Sequence, residues 1–100
     1  MKEQRRSRRI LASITLEMQS DGEPESALTV VINLNGALIL SAVNWPTGSD
    51  FRIQNPETEL HTLARVVWCE NQDATGSYKL GVEFQASAPE FWGERYGKSE

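Results

Sequence analysis

The chain has 100 residues, of which 39% are hydrophobic and 24% charged, and it carries a formal charge of −4; this is the composition of one ordinary soluble domain with a single modest core, too small for two. One cysteine, Cys69, excludes an intrachain disulfide, and with His61 as the one histidine no set of ligands is spaced for zinc. A reducing cytoplasm is the expected compartment, and no stretch approaches the ~18 apolar residues of a membrane span.

The charge is unevenly spread. Residues 1–10 hold Lys2, Arg5, Arg6, Arg8 and Arg9 against Glu3, a net of +4, whereas residues 11–100 hold five basic and thirteen acidic residues, a net of −8. The run Arg5-Arg6-Ser7-Arg8-Arg9 cannot enter a core, because an unpaired buried guanidinium costs far more than its stem gains. It is either a solvated tail or a clamp for phosphate, whose oxygens match the fork of guanidinium donors, as does the O6/N7 edge of guanine. Ser7-Arg8-Arg9-Ile10-Leu11 also has the look of a twin-arginine export signal, but Ser13, Thr15, Glu17 and Gln19 break the apolar segment that such a signal needs.

From Ile10 to Met18 apolar residues recur with a period of two, predicting that the arm, residues 1–9, runs directly into a half-buried strand. The polar stretch 20–26 reverses the chain, and a second strand follows at 28–33. The Asn35-Gly36 step predicts a tight hairpin into a third strand at 37–41. Residues 42–49, with Trp45-Pro46 and Thr47-Gly48, form a loop in which Trp45 is the tryptophan expected to be exposed. Phe51 and Ile53 mark a short fourth strand, closed by the turn at 55–58. The longest strand is expected at 60–69, with Trp68 filling the core on the same face as Leu60, Ala64 and Val66. After a turn at 70–77, alternation of Tyr78, Leu80, Val82 and Phe84 gives a sixth strand.

Residues 86–100 are expected to hold a short C-terminal helix and tail, with Ser87 as its cap and Pro89 in its first turn. Six short strands with almost no helical period predict an all-β fold, a small six-stranded antiparallel β-barrel over residues 10–85, with a flexible basic N-terminal arm. Residues 1–100 read as one domain with no fused output domain.

The chemistry of an enzyme is missing from this pattern. Ser41, Ser49 or Ser77 pair with His61 only on paper, since no nucleophile elbow surrounds them. Gly36, Gly48 and Gly81 make no phosphate loop. Trp45, Trp68 and Trp92 offer flat faces for bases, so a small RNA- or DNA-binding barrel using the arm and Trp45 is one reading. The −8 body opposes a long polyanion. A small anion gripped by the arm avoids that repulsion.

The order of these features resembles the PilZ domain family, bacterial receptors for the second messenger cyclic di-GMP. Arg5 and Arg9 stand at the spacing of the family's Arg-x-x-x-Arg, just before the first strand. Val31 to Ile39, VINLNGALI, looks like its Asp/Asn-x-Ser-x-x-Gly turn, with Val31 at the acidic position, Asn33 at the serine and Gly36 at the glycine. RVVWC at 65–69, YKLGVEF at 78–84 and PEFWG at 89–93 resemble the last two barrel strands and the tail. The resemblance implies that Arg5 and Arg9 clamp cyclic di-GMP with added charge from Arg6, that Asn33 makes a polar contact, and that Gly36 gives the turn its backbone. It implies no metal, no other cofactor and no catalysis, and a downstream protein partner. The departures at Val31 and Asn33 motivate the alternative of a degenerate PilZ-like adaptor that binds a protein and no nucleotide.

Overall fold

A computed structural model describes residues 9–72, 76–86, 88 and 90–93. Arg5, Arg6 and Arg8, and with them most of the expected arm, lie outside the described residues.

Seven strands follow in chain order: β1 Ile10–Leu11, β2 Thr15–Gln19, β3 Glu25–Asn33, β4 Gly36–Ser41, β5 Asp50–Asn55, β6 Leu60–Gln72 and β7 Ser77–Phe84. They form one sheet in the order β1-β3-β2-β5-β6-β7-β4, and pairing of β3 with β4 closes it. The ring is thus a six-stranded antiparallel barrel, with β1 added beside β2 along the same edge of β3. Closure pairs the edges that an open sheet would leave to other chains.

The expected continuous first strand is interrupted at residues 12–14, and Thr29 explains the break. Its buried hydroxyl donates to the Ala12 carbonyl and accepts from the Ile14 amide at 2.8 Å. A side chain so takes over the pairing that a strand backbone would supply, which is the usual way that threonine competes with a ladder. Beside it, β3 carries a bulge between Thr29 and Val31.

The inward face is apolar and alternates as expected: Leu16 and Met18 from β2, Ile32 from β3, Ile39 from β4, Phe51 and Ile53 from β5, Ala64 and Val66 from β6, Leu80 and Val82 from β7. Phe91 and Trp92 close one end, buried and stacked edge-on with ring centroids 4.8 Å apart and both against Phe84. They are fixed by polar bonds as well, since the buried Asn55 amide donates to the Phe91 carbonyl at 2.9 Å. The described residues 88 and 90–93 form turns, with Phe91 N donating to Ala88 O and Gly93 N to Glu90 O. The expected C-terminal helix is not among them, and the rest of that tail lies outside the described residues.

Two tryptophans sit opposite to expectation. Trp45 is buried, only 7% exposed, and packs on Phe51 with centroids 5.2 Å apart; the Pro-containing loop folds it back over the barrel instead of presenting it to solvent. Trp68 is 42% exposed. A bulge between Val66 and Trp68 inserts Val67 as an extra residue, so every side chain beyond it changes face. Leu60, expected on the same core face, is also exposed, at the start of β6.

Candidate ligand-binding groove

The hairpin between β3 and β4 is present, but its turning residues are Leu34 and Asn35, and Asn33 pairs with Gly36. Neither turning residue has positive φ, nor does Gly36. The turn is therefore not the mirror-image type that Asn35-Gly36 predicts. Instead the Asn33 side chain caps it, Oδ1 accepting from the Asn35 amide at 2.7 Å, the local bond by which asparagine makes turns. Two further bonds hold the turn to the barrel: Phe84 N donates to Asn35 O at 2.8 Å, and Trp92 Nε1 donates to Asn33 O at 2.7 Å.

Gly36 is required for a different reason from the one expected. A β-carbon there would stand 2.1 Å from the Val82 carbonyl oxygen of β7. The residue permits close approach of β4 and β7, not a special turn conformation. Gly81 has the same character, since a β-carbon on it would lie 2.4 Å from Nε1 of Trp68. The Trp68 indole lies across a strand stripped of its side chain.

These residues share the outer wall. Register places Asn33 beside Gly36, and Gly36 beside Glu83, in one transverse row; Val31, Leu38, Gly81 and Trp68 form the next. Directly opposed residues of antiparallel strands project to the same side. Between the rows runs a groove of about 370 Å³, lined also by Arg9. Gly36 and Gly81, both buried, give it backbone without side chains, the indole of Trp68 lies over Gly81, and the exposed Arg9 comes from the chain just before β1.

Three of the five residues singled out from sequence, Arg9, Asn33 and Gly36, are thus brought to one groove. Arg5 and Arg6 lie outside the described residues. Trp68, a flat face for bases that the sequence pattern assigns to the core, and Glu83, which the sequence does not single out, line it as well. Gly81, a glycine inside an alternating strand, was the signal available for Trp68, because such a glycine marks a bulge or a close approach. Further along the Glu83 row, Arg65 turns away to Asp50, its Nε 2.9 Å from Oδ1. That hydrogen bond, then the charge of Asp50 and, less, that of Glu83, raises the Arg65 pKa above its ordinary value. Among the described residues no group of histidines, cysteines and carboxylates could hold a metal.

The family model of the PilZ domain matches residues 3–90. The chain belongs to the PilZ domain family. PilZ domains are receptor and adaptor domains, not enzymes, and the barrel just described is a PilZ barrel. Among solved structures, the inhibitor of motility MotI/DgrA of Bacillus subtilis is similar over 86% of this chain with a TM-score of 0.70 and 22% sequence identity. The match takes in 44% of the MotI/DgrA chain, so this PilZ chain spans less than half of it. No curated protein matches. Among the described residues of this PilZ domain, no helix is long and apolar enough to cross a membrane.

Proposed function

We propose that this PilZ domain is a cytoplasmic cyclic di-GMP receptor that clamps the dinucleotide with its N-terminal arginines against the groove beside the β3–β4 turn and passes the signal to a downstream protein. The observation that carries this reading is the meeting of Arg9 with Asn33 and Gly36 around one groove. Arg9 supplies a bidentate donor for phosphate or for the guanine O6/N7 edge, and Arg5 and Arg6, a few residues earlier in the chain, extend the clamp. The exposed face of Trp68 suits a stacked purine. A dinucleotide with two phosphates fits an acidic body with a basic arm better than does a long nucleic acid, whose charge the body would repel.

A second reading has its own observation. Val31 supplies no side-chain acceptor, which removes one hydrogen bond worth about 1–3 kcal/mol, or roughly tenfold to a hundredfold in affinity. The Oδ1 of Asn33 is already engaged by the turn. Both features favour a protein-binding adaptor that takes no nucleotide.

Calorimetric titration of cyclic di-GMP into the protein and its Arg9→Ala variant separates the two. Micromolar or tighter binding that the variant loses is the expected result. Absence of heat and of chemical-shift change in the intact protein would leave the adaptor. Steep loss of binding to a generic oligonucleotide with rising salt, in place of cyclic di-GMP binding, would instead mark a nucleic-acid partner.

A further inference from the structure

Glu83 lines the groove from β7, next to Gly36 and across it from Asn33. It is exposed, and its neighbour in the row, Arg65, makes its hydrogen bond to Asp50 and feels the Glu83 carboxylate only through space. Among the described residues no hydrogen bond or ion pair engages the Glu83 carboxylate. A carboxylate beside a phosphate site is unfavourable unless the ligand brings donors to meet it.

We propose that Glu83 is the groove's guanine selector, its carboxylate accepting from N1–H and the 2-amino group of a guanine base laid over Gly36. The proposal rests on the reading of the groove as a guanine-nucleotide site and replaces, from β7, the acceptor that Val31 does not provide. Three features of position carry it. Adjacent strands stand about 4.8 Å apart, so Asn33 and Glu83, two strand spacings apart with the side-chain-free Gly36 between them, are separated by about 10 Å, the scale of a purine. Charge is ordered across it, cationic at Arg9 and anionic at Glu83, as in a nucleotide whose phosphates lie at one end and donor edge at the other. An ionised carboxylate only accepts, and guanine alone among the common bases has two adjacent donors on its pairing edge; adenine and cytosine place an acceptor there and would meet Glu83 with repulsion. The selection therefore comes from a residue outside the β3–β4 turn.

The test is calorimetry of cyclic di-GMP and of its hypoxanthine analogue cyclic di-IMP, which lacks the 2-amino groups, on the intact chain and on Glu83→Ala and Arg9→Ala. The expected result is that Glu83→Ala weakens cyclic di-GMP about tenfold to a hundredfold and brings the two ligands to near-equal affinity. Arg9→Ala should weaken both ligands by a similar factor and keep the preference. Wild-type binding with Glu83→Ala equal, tighter, or still preferring guanine would overturn the selector while leaving the nucleotide reading intact. No binding of cyclic di-GMP to the intact chain would overturn both. Glu83 is exposed, and a thermal melt of Glu83→Ala matching that of the intact chain assigns the change to the groove.

Discussion

The barrel interior and its grooved outer wall use the same residue type for different ends. Trp45 and Trp92 are buried at 7% and 2% exposure, fixed by ring contacts with Phe51, Phe84 and Phe91; Trp68, on a strand, stays 42% exposed and rests on Gly81. Interior positions on the strands are decided by alternation, and Trp45 and Trp92 are added to them from a loop and a turn. The outer wall is decided by the places where alternation fails, at the two bulges and the two side-chain-free glycines. A tryptophan inside therefore contributes mainly to stability, and the one outside leaves a face of its indole open to solvent.

The sharpest way to break this contrast is Trp92→Ala. Removing a large buried aromatic should destabilise the fold by about 3–5 kcal/mol in urea unfolding, and the amides around Asn33 should shift because its carbonyl loses a donor. Next comes Thr29→Val, which keeps the volume but strands the Ile14 amide and Ala12 carbonyl. A loss of about 2 kcal/mol is expected, with faster hydrogen exchange confined to residues 10–16. A smaller effect distinguishes the two interior tryptophans. Among the described residues Trp45 Nε1 has no partner, so Trp45→Phe should cost less than about 1 kcal/mol, below the cost of Trp92→Phe measured in the same denaturant series. The smallest change in stability belongs to Trp68→Ala, within about 1 kcal/mol, yet by calorimetry this variant should lose about tenfold or more in cyclic di-GMP affinity. If Trp68→Ala unfolded the chain and left the ligand unaffected, the division between interior and wall would collapse.

The strands were legible because period-two patterns bury one face, and Leu80, Val82 and Phe84 lie inward as that rule demands. The interruption of the first strand was not legible, because it depends on the hydroxyl of Thr29, seventeen residues from Ala12, and a threonine in a strand is otherwise unremarked. Continuing the period through Ala64 and Val66 placed Trp68 inside, and one inserted residue reversed it. Trp45 failed for a different reason, since the direction in which a loop folds is a tertiary outcome. In the groove, Arg9, Asn33 and Gly36 could be found because they stand at the spacing of the PilZ family's two motifs, whereas Glu83 could not, because its place beside Gly36 depends on the β4–β7 register.

The position of Trp68 gives the molecule a built-in optical probe. Its indole is 42% exposed, so its emission is expected to lie to the red of that from the sheltered indoles of Trp45 and Trp92. A purine stacked on that face would change its emission while the other two supply a steady background. Occupancy of the groove could then be followed by intrinsic fluorescence in the unlabelled chain.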